Sequence, residues 1–167
     1  GGYGGFSGNS YLIDTHGGDF NPDKVKYVDV TGDGAEDLIF HGDDNRFWLS
    51  QSNGTNFDNP IHAATHGGPT NFASVQYADV DGDSKKDMIY HGVDNRFWIS
   101  KSNGTTFGDA YFANQHGGDF DTTKVQYADM DGDGKDDMFY QGDDNRIWVA
   151  KSNGTKFVNN TLAASVT

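Results

Sequence analysis

The sequence predicts an all-β chain of three tandem repeats, each folding as a sheet of four short antiparallel strands. Three observations carry this. His-Gly-Gly begins at His16, His66 and His116, and the same 50-residue spacing is kept by Arg46, Arg96 and Arg146, by Trp48, Trp98 and Trp148, and by acidic loops opened by Asp29, Asp79 and Asp129. A fixed period of this length marks stacked supersecondary units. Of the 25 acidic residues all but Glu36 are Asp, which favours loops and caps over helix interiors. Only 34% of residues are apolar, while 14% are aromatic and 23 are Gly, so aromatic rings must carry much of the burial between many tight turns.

The elements follow in chain order. Residues 1–15 form a Gly-rich tail in which Asn9 to Thr15 resembles Asn59 to Thr65 and reads as an extra outer strand. The repeats then span 16–65, 66–115 and 116–167. In the first, Val25 to Val30 alternates and runs into the acidic loop, and Asp37 to His41 is a short apolar run; both read as strands. Arg46 to Ser50 reads as the third, with Phe47 and Trp48 on opposite faces and the core-facing one of the two left open. Ser52-Asn53-Gly54-Thr55 predicts a type I′ turn, and the fourth strand runs from about Phe57 to Ala64. Asn53, Asn103 and Asn153 also stand in Asn-Gly-Thr glycosylation acceptors, for which the turn reading is preferred. Four strands per repeat match a β-propeller blade, and three blades with two open edges are expected to close as a six-bladed dimer. A β-trefoil is the alternative.

Composition excludes several functions. A net charge of −13 rules out a nucleic-acid ligand, which needs a basic face to replace phosphate counterions. No cysteine is present, so disulfides, a thiolate nucleophile and a Cys-based zinc site are excluded. No window nears the roughly 18 apolar residues of a membrane span, and Gly1 stands where an initiator Met would be. A soluble, processed, secreted protein is expected, without membrane insertion.

The acidic loops carry the clearest chemistry. Asp129, Asp131, Asp133 and Asp137 occupy loop positions 1, 3, 5 and 9, with Gly134 at position 6. Hard cations need several oxygen ligands at once, and the Gly permits the turn that folds alternate side chains onto one point. Asp79, Asp81, Asp83 and Asp87 repeat the pattern with Ser84 in place of the Gly; Asp29, Thr31, Asp33 and Asp37 repeat it with Thr31 in place of a carboxylate. Calcium is the expected ion, one per repeat, with the third site tightest. Asx-stabilised turns without metal are the competing reading, disfavoured because clustered carboxylates repel.

Tyr77-Ala78-Asp79-Val80-Asp81-Gly82-Asp83, followed by Lys86-Asp87-Met88-Ile89-Tyr90, resembles the FG-GAP or VCBS repeat of calcium-bearing β-propellers, also seen in integrin α-chain heads. The continuation Asp94-Asn95-Arg96-Phe97-Trp98-Ile99-Ser100 with Ser102-Asn103-Gly104 is more specifically similar to propeller lectins of the Psathyrella velutina lectin type. That resemblance implies glycan ligands of the N-acetylglucosamine or fucose type and six or seven blades in a ring, where this chain supplies three.

In a four-stranded blade the loop entering strand 1 and the loop joining strands 2 and 3 share one end, opposite the acidic loop. This gathers His16, Asp19, Asp44, Asn45, Arg46 and Trp48; His66, Asp94, Asn95, Arg96 and Trp98; and His116, Asp119, Asp144, Asn145, Arg146 and Trp148. Planar polar groups fork hydrogen bonds to adjacent hydroxyls while a ring covers an apolar sugar face, and repeated weak sites give avidity. The competing readings are a turn shaped by Asp-Asn, an Arg clamp and a structural His. His41 and His91 become Gln141, which favours hydrogen bonding over proton transfer, and His62, without a counterpart, reads as incidental. Glycosidases need a carboxylate pair with one pKa raised; here nearly every acid has a repeat equivalent, so no enzyme is expected. A lectin is the first reading, and a calcium-stabilised adhesion or protein-interaction propeller the second.

Overall fold

The computed structural model describes residues 22–42, 46–65, 74–92, 95–115, 121–142 and 144–165. The described residues are almost wholly strand and turn: β1 Val25–Val28, β2 Asp37–His41, β3 Arg46–Ser50, β4 Ile61–Thr65, β5 Val75–Ala78, β6 Asp87–His91, β7 Arg96–Ser100, β8 Tyr111–Gln115, β9 Val125–Ala128, β10 Asp137–Gln141, β11 Arg146–Ser152 and β12 Phe157–Ser165. They pair as three four-stranded antiparallel sheets, each a simple meander: β1-β2-β3-β4, β5-β6-β7-β8 and β9-β10-β11-β12. Single 3-10 turns at Pro22–Lys24 and Thr122–Lys124 lead into β1 and β9. The chain is all-β and built of propeller blades.

Alternation decides which residues fill the space between blades. Phe47 and Phe97 are fully buried, whereas Trp48 and Trp98 lie half-buried on the opposite face, so Phe is the core residue of the pair. The face of blade 1 carrying Val30, Ile39, Phe47, Leu49 and Ala63 packs against Val75, Met88 and Phe107 of blade 2. The equivalent face of blade 2, with Val80, Ile89, Phe97, Ile99 and Ala113, packs against Val125, Met138, Ala150 and Phe157 of blade 3. Each Val, Leu, Ile, Phe or Met among them contributes roughly 1.5–3 kcal/mol when fully withdrawn from water.

Repeated polar bonds fix the blade-to-blade register over these apolar contacts. Lys26 Nζ donates to Val75 O, and Gln76 Nε2 to Val125 O at 2.9 Å. Lys86 N donates to Asp29 O (3.0 Å) and Asp136 N to Asp79 O (2.7 Å). Ser102 Oγ donates to Val30 O (2.8 Å) and Ser152 Oγ to Val80 O (2.6 Å). Gln51 Nε2 reaches Gly104 O (3.0 Å), as Lys101 Nζ reaches Gly154 O (2.7 Å).

Two expectations change. The Asn-Gly turns are not type I′: Gly54, Gly104 and Gly154 take φ of 86°, 90° and 89°, but the preceding Asn residues stay at negative φ. Type I′ needs both central residues left-handed. Here each Asn instead caps a longer loop with its side chain, Asn53 Oδ1 accepting from Thr55 N (3.1 Å) and Asn56 N (2.9 Å). The fourth strand of repeat 1 also starts later, at Ile61, and Phe57 makes only an isolated bridge to Ser52. Blade 3 is continuous from Phe157 because Val158, a strong strand former, stands where the others have Asp58 and Gly108.

Candidate functional site

The strand 1 to strand 2 loop of each blade is wound around its first Asp. Asp79 Oδ1 accepts from Gly82 N (2.7 Å) and Asp83 N (3.1 Å), and its Oδ2 accepts from Ser84 N (2.8 Å). Asp29 and Asp129 hold the same turn through Gly32, Gly34, Gly132 and Gly134. The winding requires left-handed backbone at positions 4 and 6: Gly82 has φ 80° and Ser84 φ 70°. The last Asp of each loop is buried beneath it. Asp87 accepts from Val80 N (3.1 Å) and Ser102 N (2.8 Å), tying the acidic loop to the Asn-Gly turn. Burial pushes its carboxyl up to about 7, against the pull of those two N–H groups.

These loops bring three carboxylates together in two repeats. Oxygens of Asp79, Asp81 and Asp87 lie within 4.8 Å of one another, as do those of Asp129, Asp131 and Asp137. Asp83 and Asp133 are not members of these clusters and pair with Lys85 and Lys135, each at 2.9 Å. Asp33 accepts from Ala35 N (2.8 Å). In the first loop Thr31 replaces the central acid, and its hydroxyl lies 3.4 Å from Asp29 Oδ1, while Asp37 accepts from Val30 N and Ser52 N.

A lysine at the end of the third strand accompanies each central acid. Lys101 Nζ is 2.8 Å from Asp81 and Lys151 Nζ 2.7 Å from Asp131; opposite Thr31 the residue is the neutral Gln51. Asp81 Oδ1 is buried without a hydrogen-bond partner in the structure. A buried carboxylate oxygen left over beside two further carboxylates suits a hard divalent cation, which satisfies several such oxygens at once. The donor set of the second and third loops therefore fits calcium.

At the other end of the blades, the connection from strand 2 to strand 3 is a tight hairpin. Gly142 N donates to Arg146 O (2.8 Å) and Asn145 N to Gly142 O (3.2 Å); Gly92, Asn95 and Arg96 repeat this. Asn95 and Asn145 take φ of 61° and 57°, the left-handed conformation that closes a short hairpin loop. Asn tolerates that conformation by local hydrogen bonding. Asp144 caps the turn by accepting from Arg146 N (3.1 Å), and its other oxygen is 3.5 Å from Arg146 Nη1. A Cβ on Gly142 would lie 2.8 Å from Asp144 Oδ1 and 3.4 Å from Trp148 Nε1. Carboxylate and indole N–H thus meet at one glycine-lined spot, with the guanidinium beside the carboxylate's other oxygen.

The Trp residues belong to cross-strand aromatic walls. Phe40 stacks on Trp48 (6.3 Å, 10° between planes) and Tyr90 on Trp98 (6.4 Å, 7°). His62 and Phe112 meet the other side of these indoles edge-on, at 5.8 Å and 6.0 Å. Tyr140, Trp148 and Leu162 are in the same register in blade 3. His62, read from the sequence as incidental, is instead part of this wall against Trp48. Phe40, Tyr90 and Phe112 were not singled out from the sequence; the signal was the aromatic character of the strand-2 position, kept at Phe40, Tyr90 and Tyr140. Of the sequence candidates, Arg46, Trp48, Asn95, Arg96, Trp98, Asp144, Asn145, Arg146 and Trp148 lie in this region. His16, Asp19, Asp44, Asn45, His66, Asp94, His116 and Asp119 fall outside the described residues.

Known proteins share this architecture. The family described as FG-GAP-like repeat matches residues 29–90. A structure of an Agrocybe aegerita lectin with specific recognition of non-reducing terminal N-acetylglucosamine is similar at 25% identity and a TM-score of 0.68, covering 84% of this chain and 38% of that one. The TcdB2-TccC3-Cdc42 structure is similar at 26% identity and a TM-score of 0.66, over 82% of this chain and 7% of that one. The Photorhabdus luminescens Tc holotoxin pore shares the fold at 19% identity and a TM-score of 0.63, over 86% of this chain and 7% of that one. The chain therefore spans well under half the length of these relatives. No curated protein matches it. Its fold is that of an FG-GAP-type, lectin-like propeller.

Proposed function

We propose that this FG-GAP-type propeller fold serves as a calcium-stabilised, multivalent lectin. The observation that carries the reading is the repeated pairing of a Trp-centred aromatic wall with a polar hairpin turn, seen most fully where Asp144, held beside Arg146, meets Trp148 at Gly142. An apolar ring face beside forked polar groups is what a pyranose needs. Resemblance to the Agrocybe aegerita lectin favours a terminal N-acetylglucosamine-type ligand over a fucose-type one. His16, His66 and His116 with Asp19, Asp44, Asn45, Asp94 and Asp119 are proposed to complete the clefts. The protein binds without catalysis, acts outside the cell, and pairs with a second copy of itself.

Calcium is proposed to stabilise the scaffold at that lectin's opposite end. Asp79, Asp81 and Asp87, and Asp129, Asp131 and Asp137, would hold it, with Asp83 and Asp133 swinging in from Lys85 and Lys135; the first loop, through Asp29, Thr31, Asp33 and Asp37, is expected to bind more weakly. The ion would neutralise clustered charge and pin the loop to the Asn-Gly turn.

A glycan array run with calcium and with chelator tests both parts. Binding to terminal N-acetylglucosamine glycans is expected, and Trp98→Ala together with Trp148→Ala should reduce it at least tenfold while calcium content stays constant. Unchanged binding by that double variant would place the sugar elsewhere. Thermal stability indifferent to calcium and chelator would remove the metal. The likeness to the Tc toxin structures supports the second reading, a propeller face that grips protein; a glycan array without a hit, alongside capture of a protein partner that free sugar does not displace, would favour it.

A further inference from the structure

The two outer faces of the three-blade unit carry the two halves of the junction that is already made twice inside it. Blade 3 presents the face that blades 1 and 2 turn toward their next neighbour. Met130 is 54% exposed, where its equivalents Val30 and Val80 are 0% exposed, and Gln126 and Ala128 are exposed, where Ala78 is fully buried. Blade 1 presents the opposite face: Tyr27 is 60% exposed and rests on Phe57 at 6.1 Å, in the manner of Tyr77 on the buried Phe107.

The polar groups match as well. On blade 3, Gln126 Nε2 and Lys151 Nζ are the equivalents of the donors that reach Val75, Val125, Gly104 and Gly154, and the carbonyls of Asp129 and Met130 are the equivalents of the acceptors Asp29, Asp79, Val30 and Val80. On blade 1, the carbonyls of Val25 and Gly54, the N–H of Glu36 and the hydroxyl of Ser52 are the complementary set. We infer that blade 3 of one copy docks on blade 1 of a second copy through this repeat-equivalent junction, and that two such junctions close the pair into a ring. The inference deepens the proposed pairing by naming the surfaces and their polarity. It also supplies the site: the Phe40, Trp48 and His62 wall stands on blade 1's outer face, and its facing wall comes from blade 3 of the partner copy.

A charge mismatch makes the junction salt-sensitive, and Ala35 stands where Lys85 and Lys135 lie against Gly32 and Gly82 inside the chain. Lys86 pairs with Asp136 across the blade 2 to blade 3 junction at 2.6 Å, whereas Asp136 of blade 3 meets Glu36 of the second copy, two acids on chains that each carry −13. The pair should therefore tighten as ionic strength rises.

Sedimentation of the 167-residue chain tests this. A particle of twice the 18.2 kDa chain mass at micromolar concentration is expected, with tighter association at 0.5 M than at 0.05 M salt. Met130→Asp and Tyr27→Asp alter exposed residues on opposite faces, so each variant should keep the parent's circular dichroism but run as a single chain. Mixed together they retain one intact junction and should form a two-chain species that neither forms alone. A single-chain mass for the parent at tens of micromolar overturns the inference and leaves both faces to further blades of the same chain. Loss of pairing by only one variant overturns the head-to-tail polarity, and open-ended growth overturns the ring. Glycan-array binding by the single-chain variants separates failure of the junction from failure of the lectin reading.

Discussion

Ser84 stands at loop position 6, where Gly34 and Gly134 stand in the other repeats, and it takes the same left-handed backbone. A side chain there costs about 1 kcal/mol through the contact of Cβ with the following carbonyl. Ser84→Gly is expected to raise stability by about that amount in denaturant unfolding, with no change in the slope of the transition. Gly82→Ala should do the reverse, since a Cβ at φ 80° would also press to 3.2 Å from Lys135 Cγ and 3.3 Å from Gly134 O. Residue spacing alone made the acidic loop legible, because ligands at alternate positions with a Gly between them leave a one-dimensional signature. Lys101 and Lys151 left none. They lie 20 residues from the acids they meet, and only the pairing of strands brings the two together. Ranking the loops by carboxylate count therefore missed that the richer loops also carry a competing ammonium.

The first strand was recognisable from its alternation and the second from its short apolar run, and the boundaries differ from the sequence reading at the end of β1 and, more, at the start of β4. Period-2 patterning establishes that Phe47 and Trp48 face opposite ways but carries no sign, so the choice of core residue waits on the neighbouring blade. The turn after strand 3 was misread for a related reason. Asn-Gly signals a turn, but its type depends on loop length, which is set by where Ser52 and Phe57 bridge. The hydroxyl at this turn does a second job in two of the three blades. Ser152 Oγ accepts from Gly154 N at 3.1 Å and donates to Val80 O of the preceding blade at 2.6 Å. Ser152→Ala leaves that carbonyl unsatisfied in a buried place and should cost roughly 1–3 kcal/mol. Ser52→Ala, which within the chain loses the bond from Gly54 N at an exposed turn, should cost less than about 1 kcal/mol. Parallel thermal melts of the two variants, made in the single-chain Met130→Asp background, check the difference.

At the scale of the whole molecule, the apolar clusters among the described residues fall between blade 1 and blade 2 and between blade 2 and blade 3. The site residues at the hairpin end were legible as a set, because the Arg and Trp of the chain occur nowhere else; their partners across the sheet were not, since Phe112, His62 and Leu162 share a position without sharing a chemistry. The stacking has a consequence for how the chain comes apart. Blade 2 is clamped on both faces, while blades 1 and 3 are each clamped on one, so opening an outer blade breaks one interface and opening the middle blade breaks two. Stability in such an array is a sum of unit and nearest-neighbour contributions, and local opening follows the weakest of them. Native-state amide exchange of the single-chain Met130→Asp variant should therefore be slowest in β6 and β7 and faster in the matching strands β2, β3, β10 and β11, the molecule fraying from its ends inward. When two chains pair, the ends vanish, and the difference in exchange between the middle and outer blades should shrink toward zero.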